Sequence, residues 1–174
     1  RDLVRSRGLG DVYKRQKGTR CYPWRAFVVA ANDGELIESD LVYKLGAPND
    51  LENTDWIKPG QVAWDWWNAN NIYGVDFRAG LNTETYKYYI DFASANGIEY
   101  IIIDDGWYPL GKTVLNSIPE IDVPELCRYA QSKDVGVILW VVWNLFWEEI
   151  DEAVSLYEKW GVKGVKVDFM QRDD

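Results

Sequence analysis

The sequence predicts an α/β fold, the first half of a (β/α)8 or TIM barrel preceded by the end of a β domain. Three observations predict it. Short apolar segments alternate with amphipathic helices in the second part of the chain, a Pro- and Gly-containing segment precedes them, and two apolar runs joined by a turn signal come first. With 174 residues, 47% of them apolar, the chain can bury a core of domain size.

The first of these elements is predicted to be two strands joined by a turn. An apolar run over residues 24–31 breaks at Asn32-Asp33-Gly34, and shorter apolar runs follow at 36–37 and 41–43. Asn, Asp and Gly between apolar runs are typical of hairpin turns. Residues 46–60 contain two prolines and show no periodicity, which predicts a linker.

Three amphipathic helices are predicted after the linker, because apolar residues recur in each at i, i+3, i+4 and i+7. Asp122 and Glu125 predict a capping box at the start of the second helix. Gly97, Gly136 and Gly161 predict the ends of the three helices. The apolar stripes are Tyr86, Tyr89, Ile90 and Ala93; Val123, Leu126, Cys127 and Ala130; and Ile150, Ala153, Val154 and Tyr157.

Four strands are predicted at residues 62–67, 100–103, 137–142 and 165–167. They are apolar along their length rather than alternating, which is typical of parallel strands covered by helices on both faces. Such β-α-β units are right-handed and build either a doubly wound sheet or a (β/α)8 barrel. No Gly-rich phosphate loop follows any of these strands, so the barrel is favoured.

Composition excludes several classes of function. The sequence has no His, which excludes His-based triads and His-ligated zinc, and Cys21 and Cys127 belong to no CxxC motif. The apolar stretch 135–147 is 13 residues long, whereas about 20 are needed to span a bilayer, so no membrane-spanning segment is predicted. The chemistry must therefore depend mainly on carboxylates.

Charge separates the start of the chain from the rest. The first twenty residues carry seven Lys or Arg against two Asp, and the whole chain has a net charge of −9. An acidic body argues against nucleic-acid binding, which requires cations. We expect residues 1–17 to be an artefact or a disordered tail. We also expect the sequence to be a fragment, since its one methionine is Met170.

Polar residues at the predicted strand ends are the candidates for a site, because (β/α)8 barrels place their active sites there. Lys166 and Asp168 are two residues apart on one strand and should point to the same side, where the ammonium would keep the carboxylate ionised. An ionised Asp suits nucleophilic attack on an anomeric carbon, although a plain ion pair is the alternative. Asp104 and Asp105 could accept hydrogen bonds from sugar hydroxyls or cap a turn. Asn144 ends the third strand.

Ten tryptophans give a second signal, since flat aromatic faces are good platforms for sugar rings. We expect Trp66, Trp67 and Trp107 to be among those near the barrel mouth, with other tryptophans packed in the core. Glu148 and Glu149 are expected at the start of the third helix, where acids favour the helix dipole. Cys127 is expected to be a core residue.

Several motifs in order resemble glycoside hydrolase family 97, the calcium-dependent α-glucosidases and α-galactosidases. They are IDDGWY at 103–108, GVKVDFM at 164–170, WIKPG at 56–60, AWDWW at 63–67 and YIDFA at 89–93. The resemblance implies an N-terminal β-sandwich, a catalytic (β/α)8 barrel and a small C-terminal β domain. Residues 18–45 would end the sandwich, 46–60 would be the linker, and 61–174 would form the first half of the barrel.

The resemblance also implies roles. Asp168 matches the nucleophile of the retaining members, which implies a covalent glycosyl-enzyme and favours an α-galactosidase acting on terminal residues of an oligosaccharide. An α-glucosidase and a non-catalytic carbohydrate-binding protein remain the alternatives. The substrate-binding candidates are Asp104, Asp105, Trp107, Lys166, Trp66 and Asn144.

Other parts of the family's machinery are expected outside this sequence. The resemblance implies a general acid/base Glu on a later strand and Ca2+ held by glutamates mostly outside this stretch, so no metal ligand is assigned here. We therefore expect the isolated fragment to be inactive. Family habit implies a periplasmic or secreted location, and the sequence identifies no protein partner.

Overall fold

A computed structural model describes residues 25–170 of the chain. They divide into two compact units between Lys58 and Pro59, which lies inside the predicted linker. Trp24, Cys21 and the predicted tail 1–17 lie outside the described residues. Among residues 25–170, no helix is long and apolar enough to cross a membrane.

The first unit contains two short helices, α1 (Asp33–Ile37) and α2 (Leu41–Leu45), where the turn and the second strand were predicted. Residues 25–31, which belong to the first predicted strand, form neither strand nor helix. The strand prediction is wrong because Asn32 caps a helix instead of opening a hairpin. Its side-chain oxygen accepts a hydrogen bond from the Glu35 amide at 3.1 Å, and the Glu35 carboxylate accepts one from the Ala31 amide at 2.9 Å. The first bond caps the helix by satisfying an amide that a helix start leaves free, and the second ties the Glu35 side chain to the residue before the N-cap. Assignment of this segment to the end of a β-sandwich stays a prediction.

The second unit is a four-stranded parallel sheet with the strand order β1-β2-β3-β4. This order confirms the predicted α/β class and the barrel type of winding, since a doubly wound sheet reverses direction from a central strand. The strands are β1 (Val62–Trp64), β2 (Tyr100–Ile103), β3 (Gly136–Val142) and β4 (Gly164–Asp168). The helices are α3 (Thr83–Asn96), α4 (Val123–Ser132), α5 (Trp143–Glu148) and α6 (Ile150–Trp160), with a 3₁₀ helix at Asp65–Asn68.

The helix ends follow the predicted signals with one exception. The Asp122 carboxylate accepts a hydrogen bond from the Glu125 amide at 2.8 Å, and Gly97 and Gly161 end α3 and α6 with φ of 67° and 88°. Gly136 was predicted to end α4, but it is the first residue of β3. A Cβ there would lie 2.5 Å from the Tyr100 ring, so the glycine allows close approach of that side chain.

The apolar stripes of α3 and α4 are buried against the sheet throughout. In α6 only Ala153 and Tyr157 are buried, and the predicted core residue Val154 is 52% exposed. Glu149 does precede α6, yet its carboxylate accepts hydrogen bonds from Thr113 Oγ1 and the Val114 amide rather than capping the helix. Buried residues are concentrated in β2 and β3. The candidate side chains lie at the ends of these and the neighbouring strands.

Candidate active site

The carboxyl ends of the parallel strands bring the candidate polar residues to one edge of the sheet. Ile103 is level with Leu139 and, through it, with Val165. Asp104 therefore follows at the level of Lys166, and Asp168 lies two residues further along β4. Side chains at Lys166 and Asp168 share a side of the strand, as the period of two predicts.

The Lys166 ammonium is the centre of this arrangement. Its Nζ lies 2.8 Å from Asp104 Oδ2 and 3.6 Å from Asp168 Oδ2. It also lies 4.4 Å from the centre of the Trp64 ring, within the range of a cation–π contact. The predicted Lys166–Asp168 pair is thus present, but the closer partner of the ammonium is Asp104, which the sequence did not indicate.

Asp168 presents a partly exposed and ionised carboxylate. Its Oδ2 accepts a hydrogen bond from Trp140 Nε1 at 3.0 Å, and its Oδ1 accepts one from the Phe169 amide at 2.8 Å. The hydrogen bond from Trp140 lowers the pKa of Asp168, with further lowering by the Phe169 amide and Lys166. Because 41% of the side chain is exposed, this carboxylate can be reached from solvent.

Asp104 is buried and fully engaged. Its Oδ2 accepts a hydrogen bond from Trp64 Nε1 at 2.6 Å in addition to that from Lys166, and its Oδ1 accepts one from the Asp105 amide at 2.8 Å. The side chain of Asp105 itself is exposed. Asp104 therefore holds the cation in place, whereas Asp105 keeps acceptors free for a ligand.

Behind Asp104 lies a second buried carboxylate, Asp65, in the 3₁₀ helix that follows β1. It accepts hydrogen bonds from the Asp104 amide at 3.2 and 3.3 Å and from the Tyr86 hydroxyl at 2.7 Å. Burial raises the pKa of Asp65 to about 6, against the lowering effect of the Tyr86 hydrogen bond. The carboxylate therefore changes charge near neutral pH.

An open hollow of about 600 Å³ lies beside Asp104 and Asp105. Trp66 forms part of its wall, is 60% exposed and stacks on the Trp64 ring at a centroid distance of 5.8 Å. Trp66 and Trp67 are not on β1 as predicted, because the chain leaves the strand at Asp65 to form the 3₁₀ helix. The other lining residues are Asp65, Trp67, Asn68, Ala69, Asn70, Gly80 and Leu81.

Two predicted substrate-binding positions differ from expectation. Trp107 is completely buried, and its Nε1 donates a hydrogen bond to the Trp140 carbonyl at 2.7 Å, so its prediction as a ligand-facing residue is wrong. Its ring packs in the core against Tyr157 and Trp160 of α6, with centroid distances of 6.0 and 6.5 Å. Asn144 does not end β3 but lies exposed in the first turn of α5, directly after that strand.

Sequence reasoning missed the most buried members of the cluster. Asp65 had one available signal, an acid inside an otherwise apolar AWDWW run. Tyr86 was assigned to an apolar stripe, and its hydroxyl gave no sign of its partner, 21 residues away. Trp140 lies within the predicted third strand, but nothing in the sequence indicated that its indole donates a hydrogen bond to Asp168.

The described residues do not fit the calcium ion that the family resemblance implies. Within residues 25–170, no group of three or more His, Cys, Asp or Glu side chains could hold a metal. Asp104 and Asp168 already share the Lys166 ammonium. Calcium therefore enters no step attributed to these residues.

Two known proteins are similar in sequence to most of this chain. A retaining α-galactosidase of Bacteroides thetaiotaomicron is 52% identical over 156 residues, which cover 89% of this chain and 24% of that protein. A probable retaining α-galactosidase of Streptomyces bingchenggensis is 32% identical, over 95% of this chain and 26% of that protein. The chain thus spans about a quarter of the length of these relatives.

A solved structure and a family profile agree with these relatives. A glycoside hydrolase family 97 enzyme from Pseudoalteromonas sp. strain K8, in complex with acarbose, superposes with a TM-score of 0.64 and 26% identity, covering 76% of this chain and 22% of that one. The sequence profile of glycoside hydrolase 97 matches residues 66–174, well over half of the chain. The chain belongs to glycoside hydrolase family 97.

Proposed function

We propose that the full gene product containing this chain is a retaining exo-α-glycosidase that hydrolyses terminal α-galactosides through a covalent glycosyl-aspartate. The observation that carries the proposal is Asp168. Its carboxylate is solvent-accessible, ionised, held by Trp140 and Phe169, and located at the carboxyl end of a strand beside other acids. The names of the two relatives, a retaining α-galactosidase and a probable retaining α-galactosidase, support the same reaction and sugar.

In the first step, an Asp168 oxygen attacks C1 of the sugar from the face opposite the leaving group. The new C1–O bond forms as the glycosidic C1–O bond breaks, and the departing oxygen takes a proton from a general acid. In the second step, water attacks C1 after giving a proton to that same residue, and the Asp168 carboxylate is released. Two inversions at C1 give retention. The proposal assigns the general acid to a glutamate outside residues 25–170, as the family resemblance implies.

Substrate binding is proposed to involve the hollow beside Asp104 and Asp105. Asp105 has free acceptors for sugar hydroxyls, and Lys166 has donors left after its contact with Asp104. The exposed face of Trp66 offers a platform for the C–H face of a sugar ring. Asn144 is proposed to reach the substrate from the first turn of α5.

Two further expectations belong to the same proposal. We propose that the full gene product holds Ca2+ through residues outside 25–170, and that it is periplasmic or secreted, as is usual in the family. Atomic absorption on the purified full gene product and fractionation of cells that express it test these two points separately. Neither point affects the role proposed for Asp168.

The decisive experiment is Asp168→Gly in the full gene product, assayed with an aryl α-galactoside with and without azide. We expect hydrolysis to fall by about three orders of magnitude or more, and azide to restore turnover with a β-galactosyl azide as product. The matched control is Asp134→Gly, at an exposed turn residue with φ of 61°, where glycine fits and azide should change nothing.

The same assay separates the competing functions. An aryl α-glucoside cleaved much faster than the α-galactoside would favour the α-glucosidase alternative. A wild-type protein that binds galactose but cleaves neither substrate would support the non-catalytic carbohydrate-binding alternative. Unchanged hydrolysis by Asp168→Gly would remove Asp168 from the reaction.

A further inference from the structure

Asp65 is a buried acid that the proposed reaction does not use. Its residue is 1% exposed, and it contacts neither Asp168 nor Lys166 by any hydrogen bond among those described. It is joined instead to the Asp104 backbone, which carries the carboxylate that holds Lys166. A chain of contacts therefore runs from Asp65 through Asp104 and Lys166 to Asp168.

We propose that Asp65 is a positioning residue for this site: its carboxylate fixes the backbone at Asp104, so that Lys166 is shared correctly between Asp104 and Asp168. The inference rests on the proposed function, since it assigns Asp65 a part in the reaction of Asp168. Asp65 is the first residue of the 3₁₀ helix, and its two partners come from different parts of the unit. The Asp104 amide directly follows β2, and Tyr86 lies in α3.

The position uses both oxygens of a carboxylate. An amide of the same shape would avoid the unfavourable desolvation of a buried charge, but its NH2 group would stand in place of one of the two oxygens that accept from the Asp104 amide. The groups that face Asp65 are Tyr86 and Tyr89 from α3 and Asp104 directly after β2, and none of them is a cation. The charge is therefore maintained against its surroundings, which is typical of residues retained for function.

Ionised Asp65 can accept from Tyr86 and from the Asp104 amide at the same time, whereas a proton on one of its oxygens removes an acceptor. Because the pKa of Asp65 is about 6, its hydrogen bond with the Asp104 amide would weaken as the pH falls through that value. We therefore expect the kcat/KM profile of the wild type to have an acidic limb near pH 6.

The test uses Asp65→Asn and Tyr86→Phe in the full gene product, assayed on an aryl α-galactoside from pH 4.5 to 8. For Asp65→Asn we expect kcat at pH 7 to fall by about 10- to 100-fold, since small misplacement of reacting groups has effects of that size. The limb near pH 6 should disappear. In Tyr86→Phe the limb should move to higher pH, because Asp65 loses the hydrogen bond that lowers its pKa.

The matched controls are Asp91→Asn and Tyr129→Phe, which alter the same kind of hydrogen bond, 2.8 Å long, on the outer face of α3. They should keep the wild-type kcat and pH profile. If Asp65→Asn does not fold, the direction of the Tyr86→Phe shift decides. If the wild type is active and Asp65→Asn keeps the wild-type kcat, this inference alone is overturned. The same holds if the pH profile of Tyr86→Phe is not shifted. A wild type that cleaves no glycoside would overturn the proposed function and the inference with it.

Discussion

Two clusters on opposite sides of α3 use the same side chains in different surroundings. The inner cluster joins Asp65 to Tyr86 at 2.7 Å, with Lys166 beyond Asp104, and is buried. The outer cluster joins Asp91 to the Tyr129 hydroxyl at 2.8 Å and to Lys133 at 3.0 Å, and the Asp91 side chain is 48% exposed. The hydrogen bonds are equivalent, but the access of water is not.

The pKa values of the two aspartates move in opposite directions as a result. Burial raises the pKa of Asp65 to about 6. Asp91 loses less water, so the hydrogen bonds from Lys133 and Tyr129 outweigh its desolvation and lower its pKa. A hydrogen bond from a tyrosine therefore does not by itself determine whether a carboxylate stabilises the protein, because the extent of its desolvation decides the direction of the effect. Substitution of a buried residue and of its exposed counterpart should therefore have different effects.

The largest difference is expected between two tryptophans. Trp107→Ala should destabilise the protein by about 4 kcal/mol, since it opens a cavity and leaves the Trp140 carbonyl without its indole donor. Trp66→Ala should change stability by less than about 0.5 kcal/mol, because the ring is 60% exposed, while raising KM for the galactoside. Urea denaturation measures both. Similar losses in the two variants would contradict the buried position of Trp107.

Asp65 should make the stability of the protein depend on pH. The folded pKa of about 6 for Asp65 lies above its ordinary value of 3.8, so the folded state binds the extra proton and stability falls as the pH rises from about 4 to 6. The shift corresponds to about 3 kcal/mol. Asp65→Asn should lack this fall, so its stability relative to that of the wild type should rise by about 3 kcal/mol between pH 4 and 7.

Asp91→Asn should behave in the opposite way. The lowered pKa of Asp91 means that its contribution is present above the unfolded value near 3.8 and is lost as the pH falls through the folded one. Its carboxylate is exposed, so the loss should stay below about 1 kcal/mol. Denaturation curves at pH 4, 5.5 and 7 measure both variants. Parallel pH dependence in the two would show that burial does not separate the clusters.

The third comparison removes one lysine from each cluster. Lys166→Met keeps the apolar stem but leaves the buried Asp104 carboxylate with only its Trp64 and Asp105 donors. Unpaired buried charges destabilise by several kcal/mol, and partial exposure of Lys166 reduces the expected loss to about 2 kcal/mol. Lys133→Met should lose much less, because water screens the exposed ion pair between Lys133 and Asp91. An equal loss in the two variants, measured by urea denaturation, would mean that solvent screens Asp104 as well.

The sequence could predict the parts of this fold that depend on periodicity. Apolar segments and stripes placed the four strands and three of the helices, and the spacing of Lys166 and Asp168 along a strand placed both at one edge of the sheet. The hairpin prediction failed at Asn32-Asp33-Gly34, because Asn32 and Glu35 form hydrogen bonds that start a helix there. The preference of Asn for turns and for helix caps has the same origin, so the sequence alone does not separate them.

The buried half of the site was beyond prediction for a different reason. Asp65 is paired with Tyr86 and with the Asp104 amide, 39 residues away, and only the packing of α3 on the sheet brings these groups together. Trp107 follows a strand end, where alternation no longer fixes direction. The exposed acids could thus be selected from their position in the chain, whereas their supports required the tertiary structure.

The smallest expected effect is the coupling within the outer pair. A double-mutant cycle with Tyr129→Phe and Asp91→Asn should give about 0.5 kcal/mol, because water replaces the lost hydrogen bond at an exposed site. The same cycle with Tyr86→Phe and Asp65→Asn should exceed 1 kcal/mol at pH 7, since no water compensates the buried carboxylate for its tyrosine. Coupling that is as strong outside as inside would mean that the hydrogen bond itself, rather than its surroundings, determines the energy.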